Sequence, residues 1–379
     1  MKRLRSMIAC LFVAICLGGC WDSANIETFS FIMGIGLGVD QNDPEKVGMV
    51  TQLYLPVSEN EGASTLTYQN KYSTGESVIE AIRNLELVDQ GIMSDHQLAL
   101  VLHSDALKKW NAEALINQRM RDERARRGLR IFVTEEDLNE LFTYPKGDDT
   151  APTSKALDLL AQNNDRTTEI IVPLTLGKLS DSIERAQSIL IPNITISEEE
   201  LKINGAYILK DGKHIDGYLS PAHVSGVNWL NGDVQSGVIN AKVNGARVVY
   251  EILDASVASV TTSVQEDQLS MHIKVTSDGR LVENWDPNED AYNADYKQNL
   301  ETIFEEKLTQ EVTTIIELLQ KDYQTDPLDL QKYVRVQQYP FWKQYKDDWD
   351  AAFQKATITY EVDLTIVDFG TRGKNREGE

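Results

Sequence analysis

One apolar stripe in the second half of the chain constrains its fold more than any other sequence feature. Its side chains recur at steps of three and four residues: Tyr296, Leu300, Ile303, Phe304, Leu308, Val312, Ile315, Ile316 and Leu319. This spacing predicts an amphipathic helix of about 25 residues, because one face of an α-helix repeats about every 3.6 residues. The residues between are too polar for a membrane span. We therefore expect the stripe to be buried within one domain.

Stretches that alternate apolar and polar residues surround this helix and predict antiparallel strands. The stretches are 204–209, 214–219, 243–253, 257–265 and 268–275, and the alternation in 356–369 predicts a final strand. The first two flank Lys210-Asp211-Gly212-Lys213, which is typical of a hairpin turn. We assign 197–370 to a C-terminal α+β domain, in which the long helix packs against antiparallel strands, and 371–379 to a polar tail.

The first half of the chain alternates between strand and helix patterns, which favours a mixed α/β region. The predicted strands and helices are 29–39, 47–57, 77–88, 97–103, 104–127 and 129–133. The helix that begins at Ser104 is predicted to run to about Arg127 and to stop at Gly128. We assign 20–196 to this region, with two sub-domains that meet near 148–152. The chain as a whole is thus predicted to be a multi-domain protein of the α+β class.

The N-terminus has the order of a secretory signal peptide over residues 1–19. A basic start is followed by an uncharged apolar run of 11 residues from Met7 to Leu17, whereas a membrane-spanning helix needs roughly 20. Leu17-Gly18-Gly19-Cys20 resembles the lipobox of bacterial lipoproteins and predicts lipid on Cys20. Two acyl chains are about what stable anchoring requires. The alternative is an ordinary signal peptide with a chance cysteine at the cut.

Cysteine content and charge agree with an exported lipoprotein. Cys10 and Cys16 lie in the predicted signal peptide, so Cys20 alone would remain, which excludes an intrachain disulfide and a cysteine metal site. Removal of the signal peptide takes the formal net charge from −22 to −25, because three basic residues go with it. Such an acidic protein is a poor partner for nucleic acid and is repelled by an anionic membrane surface. The lipid would have to hold it there.

The sequence offers no convincing catalytic or metal-binding motif. Gly34, Gly36 and Gly38 suggest a dinucleotide-binding loop, but the third glycine is one place too early and no helix pattern follows. We interpret these glycines as positions of close backbone packing. The run 286–290 does not have the spacing of a calcium loop. The five histidines are scattered, and His223 near Ser225 is not sufficient to indicate a catalytic dyad.

Two clusters leave a choice between structure and binding. The first is arginine-rich and comprises Arg119, Arg121, Arg124, Arg126, Arg127 and Arg130. Arginines in a last helical turn suit the helix dipole; the alternative is a contact with lipid head groups or an acidic partner. The second comprises Trp342, Trp349 and Phe353, whose spacing favours one helix face buried in a core. An aromatic surface for sugar or peptidoglycan is the alternative there.

Several short strings, in order along almost the whole chain, resemble the Ger(x)C family of spore germination lipoproteins. In the first half they are Cys20-Trp21-Asp22, Gly38-Val39-Asp40, Ser94-Asp95-His96-Gln97 and Arg121-Asp122. In the second half they are Gly205-Ala206-Tyr207, Gly217-Tyr218-Leu219, Gly226, Trp229-Leu230, Gly237, Pro340, Trp342, Trp349 and Phe353. Ser23 departs from the family pattern, which usually has glutamate after Trp-Asp.

The resemblance implies a fold of three mixed α/β domains and no established enzymatic activity or cofactor. It also implies a place on the outer surface of the spore inner membrane, with lipid on Cys20. The implied partners are the A and B subunits of a nutrient germinant receptor, of which this chain would be the C subunit. The alternative is a free-standing extracytoplasmic ligand-binding lipoprotein or a cell-wall enzyme.

Overall fold

The computed structural model describes residues 30–55, 67–88, 91–93, 97–146, 151–286, 290 and 292–370. In these ranges the strands form two sheets. The predicted signal peptide, Cys20 and the polar tail at 371–379 lie outside the described residues, as do Ser94, Asp95 and His96.

The larger sheet holds the strands of the first half and continues beyond it. Its strands are β1 (Ser30–Val39), β2 (Val47–Leu55), β3 (Thr67–Gly75), β4 (Ile92–Met93), β5 (Ala99–His103), β6 (Arg130–Thr134), β7 (Ile189–Ser197), β8 (Glu200–Lys210) and β9 (His214–Leu219). They lie in the order β3-β2-β1-β5-β6-β7-β8-β9, and β4 pairs with β1. The neighbours among β1, β5, β6 and β7 are parallel, and each connection between them includes at least one helix, as parallel pairing requires a long crossover.

Helices cover both faces of the parallel part of this sheet. They are α1 (Val78–Glu86), α2 (Ser104–Arg121), α3 (Leu138–Leu141), α4 (Thr153–Ala161) and α5 (Leu176–Glu184). One core joins β1 and β5 to α1, α2 and α5 through residues such as Leu37 and Leu115. A second core lies on the opposite face, where Phe142 and Leu157 pack on Val101. The result is the three-layer arrangement expected of strands buried on both faces.

The second sheet is built from the rest of the chain. Its strands are β10 (Gly237–Val243), β11 (Ala246–Gln265), β12 (Gln268–Asn284) and β13 (Thr357–Asp368), in that order. The helices around it are α6 (Pro221–Asn231), α7 (Ala294–Glu317), α8 (Gln331–Gln337), α9 (Tyr339–Tyr345) and α10 (Trp349–Lys355), with a π-helical turn at Leu318–Asp322. Strand β11 is continuous where two successive strands were predicted, and β13 pairs with β12 in parallel.

The long helix α7 follows from its sequence. The side chain of Asn293 accepts hydrogen bonds from the N–H groups of Asp295 and Tyr296, which caps the first turn. The predicted stripe is buried, and Leu300, Phe304 and Leu308 are all 0% exposed. The prediction that the stripe is buried in the C-terminal core is therefore confirmed.

The predicted boundary at 196/197 lies between two paired strands. Strands β7 and β8 pair from Ile189 and Leu209 to Ser197 and Glu200, so the larger sheet crosses this point. Leu219 and Ile208 nevertheless belong to the core of the second sheet. The division into 20–196 and 197–370 stays a prediction.

Candidate functional site

The glycines of β1 serve packing. A Cβ on Gly34 would lie 2.7 Å from the Cβ of Ser154, and one on Gly36 would lie 2.9 Å from a ring carbon of Phe142. Helix α4 and the residues after α3 therefore approach the strand closely because it has no side chains there. After β1 the chain turns and pairs back as β2. The interpretation of these glycines as packing positions is confirmed.

The arginine cluster does not form one basic surface. Arg119 is buried, with its side chain 3% exposed, and its Nη1 lies 3.9 Å from Asp122. Burial lowers the pKa of Arg119 to about 10. Arg124 is exposed and donates from its backbone N–H to Asp122 at 3.0 Å. Arg130 lies on β6 and forms an ion pair with Asp158 at 2.9 Å.

The predicted end of this helix was wrong. Helix α2 ends at Arg121, with Asp122 as its C-cap in extended conformation, so Arg124, Arg126 and Arg127 are not in a last helical turn. The burial of Arg119 had a sequence signal, since it follows Ala112, Leu115 and Ile116 at helical spacing. All three are buried and define the face toward the sheet.

A kink divides helix α2 and docks it on the far end of the sheet. Asn111 has φ 65° and ψ 169°, and its side chain caps the second part by accepting from the N–H of Ala114 at 3.1 Å. The N–H of Ala112 donates to the carbonyl of Lys213 in the β8–β9 turn at 2.9 Å. Lys213 also pairs with Glu113 at 2.6 Å. The helix therefore bridges strands that are distant in sequence.

An open groove of about 700 Å³ lies between helices α1 and α2. Val47, Val78 and Leu115 contribute apolar surface, and Arg121 and Glu76 contribute charge. The Arg121 Nε donates to Asn117 at 3.0 Å. A cavity of this size falls in the range of ligand sites. Its side chains offer surface for binding and no nucleophile paired with a base.

At the carboxyl ends of the parallel strands lies a polar cluster whose side chains hydrogen-bond to one another. The Tyr72 hydroxyl donates to Asp40 at 2.5 Å, and Gln41 donates to Asp137 at 2.9 Å. Burial and the Asp40 carboxylate raise the pKa of Tyr72. Ligands of α/β proteins commonly bind at such ends, but the cavity beside His103 measures only about 210 Å³, below the usual range.

A buried carboxylate joins the C-terminal helices to one another. Asp326 is 3% exposed and accepts from the Trp349 Nε1 at 2.8 Å and from the N–H groups of Leu328 and Leu330 at 3.0 and 2.8 Å. Burial raises the pKa of Asp326 to about 6. Trp349 and Phe353 are buried in the core and Trp342 packs against it, which confirms the core interpretation. They lie on α9 and α10, and not on one helix face.

The remaining candidates have structural partners. The Ser225 hydroxyl donates to the Thr168 hydroxyl at 2.9 Å and not to His223. Ser225 and His223 therefore do not form a catalytic dyad. Asp286 is buried, and 287–289 lie outside the described residues. In the part of the chain that the structure describes, no three His, Cys, Asp or Glu side chains are grouped as a metal site. None of the helices described there is long and apolar enough to cross a membrane.

Comparison with known proteins gives the family. Residues 22–196 match the model described as "Spore germination protein N-terminal domain", and residues 204–370 match "Spore germination B3/ GerAC like, C-terminal". The chain is 32% identical to spore germination protein A3 of Bacillus subtilis (strain 168), over 98% of this chain and 100% of that protein. This chain belongs to the Ger(x)C family of spore germination proteins.

A second relative supports this family assignment, and a solved structure shares the fold. Spore germination protein B3 of the same organism is 29% identical over 99% of this chain and 100% of its own length. The crystal structure of the GerBC protein superposes with a TM-score of 0.63 at 24% identity, covering 90% of this chain and all of that one. That likeness shows a shared fold and confirms the α+β class. The family gives the chain a role in spore germination.

Proposed function

We propose that this chain is the lipid-anchored, non-enzymatic C subunit of a nutrient germinant receptor. The observation that carries the proposal is full-length similarity to spore germination proteins A3 and B3, together with a lipobox-like string that ends at Cys20. The chain would lie on the outer surface of the spore inner membrane and assemble with A and B subunits. Two acyl chains on Cys20 would provide the attachment.

The charge of the protein supports a lipid in this role. The formal net charge of the whole chain is −22, and anionic lipids repel such a protein on average. The arginine cluster does not offset this repulsion as a single patch, because Arg119 is buried and Arg130 is paired with Asp158. An anchor at Cys20 would supply the membrane affinity that the surface does not.

Replacement of Cys20 tests the anchor. We expect Cys20→Ala to abolish incorporation of a labelled fatty acid and to impair nutrient-triggered germination. Cys16→Ala is the matched control, since it removes a thiol four residues earlier, within the predicted signal peptide. Labelling of the protein in spore membranes, read alongside germination, measures both. Full labelling and normal germination with Cys20→Ala would refute the anchoring role.

Assembly separates this proposal from a free-standing lipoprotein. We expect the full chain, recovered from spore membranes in mild detergent, to carry polytopic receptor subunits with it. A free-standing ligand-binding protein or cell-wall enzyme would be recovered without them. If the chain is recovered without these subunits, and it binds a small nutrient tightly or cleaves cell-wall material, the free-standing alternative is favoured.

A further inference from the structure

The outer edge of β13 is closed over part of its length by side chains of helix α7. Among the described strands β13 ends its sheet, with β12 on one side. On the other side the N–H of Ile366 donates to Glu301 at 2.7 Å, and the N–H of Leu364 donates to Glu305 at 2.9 Å. Two carboxylates thus take the place of a neighbouring strand. Natural sheets commonly protect their edges in ways that prevent pairing.

The register of this contact extends along both elements. Four residues of an α-helix rise about 6 Å, and two residues of a strand rise about 6.6 Å. Since Glu301 meets Ile366 and Glu305 meets Leu364, the elements run antiparallel with nearly matched repeats. The next positions in register are Thr309 beside Val362 and Thr313 beside Tyr360.

The edge opens where glutamate gives way to threonine. Thr309, Thr313, Tyr360 and Val362 all line a groove of about 530 Å³ between α7 and β13. Tyr360 and Val362 lie four and two residues before Leu364 on the same strand, with no register shift between them. Since backbone groups point to the same side at every second residue, their N–H and C=O groups point away from β12, as those of Leu364 do. A threonine side chain is too short to reach them as Glu305 reaches Leu364.

The groove also carries an excess of negative charge. Glu305 and Glu306 line the groove and form no salt bridge within the described ranges. Burial and the nearby acidic residues raise the pKa of Glu305. A cation in the groove would therefore find charge that the chain itself leaves unpaired.

We propose that this groove binds an extended segment of a partner protein, which adds to β13 as a strand and places lysine or arginine side chains against Glu305 and Glu306. Main-chain hydrogen bonds to Tyr360 and Val362 supply the affinity, as in other cases of strand addition. The basic side chains supply the preference for one partner chemistry. The proposal rests on contacts of α7 and β13 and does not require lipid on Cys20.

A strand-forming basic peptide tests the proposal on the full chain. The probe is an eight-residue peptide of alternating lysine and valine with blocked ends, and its glutamate-valine counterpart is the charge control. Fluorescence anisotropy measures affinity, and hydrogen exchange measures protection of the Tyr360 and Val362 amides. We expect the basic peptide alone to bind and to slow exchange at these two amides at least tenfold. Unchanged exchange at saturating peptide would overturn the proposal.

Added carboxylates distinguish strand addition from simple charge attraction. In Thr309→Glu/Thr313→Glu the new side chains should cap the edge as Glu301 and Glu305 do, so we expect affinity to fall at least tenfold although negative charge increases. Asn299→Glu adds a carboxylate at an exposed position of α7 outside the groove and should leave affinity unchanged. Equal or tighter binding by the double variant would refute edge pairing. Thr313→Glu alone, at an exposed position, replaces the double variant if that one fails to fold.

Discussion

At the scale of single residues, the sequence revealed composition but not surroundings. The arginine-rich stretch looked like one feature, yet Arg119 lies in the interior and Arg124 at the surface. The spacing of Ala112, Leu115 and Ile116 marks the buried face of α2, and that signal was sufficient to place Arg119. The position of Asp326 had no comparable signal, because the indole that binds it lies 23 residues further along the chain.

Asp326 makes the stability of the chain depend on pH. Its pKa in the folded protein is about 6 because it is buried, so between about pH 4 and 6 the folded state holds a proton that the unfolded chain has lost. Stability should therefore fall as pH rises through this window. Burial raises the pKa of Asp329 and Asp350 as well, and their effect has the same sign. Two nearby charges act on the pKa of Asp350 in opposite directions, since Lys210 lowers it and Asp211 raises it.

Urea unfolding at pH 4 and pH 6 measures this effect. We expect the free energy of unfolding to drop by on the order of 2 kcal/mol between these values, and by less in Asp326→Asn. The variant is also less stable at both values, since an amide nitrogen cannot accept from the donors around Asp326. Asp347→Asn is the control, because the Asp347 side chain is 87% exposed. An equal drop in Asp326→Asn and the unchanged chain would contradict the assignment.

At the scale of elements, periodicity predicted α7 well and α2 poorly. The stripe of α7 is regular, and its first turn carries the asparagine cap that begins such helices. Helix α2 contains a kink at Asn111 that depends on the carbonyl of Lys213, about a hundred residues away in sequence. The sequence around Asn111 does not indicate a partner so far along the chain. For the same reason the alternation in 356–369 predicted a strand, but not its parallel pairing with β12.

Helix α7 should not tolerate charge in its stripe. Ile315 is 0% exposed, and a Cβ on Gly226 of helix α6 would lie 3.0 Å from its side chain. Ile315→Asp loses roughly 2–3 kcal/mol of apolar burial and also buries an unpaired carboxylate. We expect the C-terminal region to unfold at ordinary temperatures, as read by circular dichroism and calorimetry. Asn299→Asp, at an exposed site on the same helix, should unfold at the same temperature as the unchanged chain. An unchanged unfolding temperature for Ile315→Asp would show that the stripe is accessible.

At the scale of the whole molecule, one sheet links the two halves of the sequence. Composition and patterning changed near residue 197, which suggested a boundary, but strands β7 and β8 pair across it. The turn between them is short, but the residues around 197 were assigned to a boundary and not to a hairpin. The parallel pairing of β7 with β6 has no local signal either, because parallel neighbours are set by long-range pairing.

Separation at this point should cost stability in both parts. A fragment of residues 197–370 loses the β7 partner of β8, and a fragment of residues 20–196 exposes the same edge of β7. We expect each fragment to unfold at a lower urea concentration than the intact chain, and their mixture to recover part of the difference. Transitions that coincide with those of the intact chain would show that the pairing contributes nothing to stability.

The position of β1 has a mechanical consequence. Ser30 begins a strand that lies between β2 and β5, inside the sheet. A pull along the strand axis, applied at its N-terminal end, loads the hydrogen bonds to both neighbours together, in shear, and does not open them one after another as a pull across the edge of a sheet would. A chain tethered through residues that precede Ser30 would therefore transmit tension into the centre of the sheet without peeling it apart.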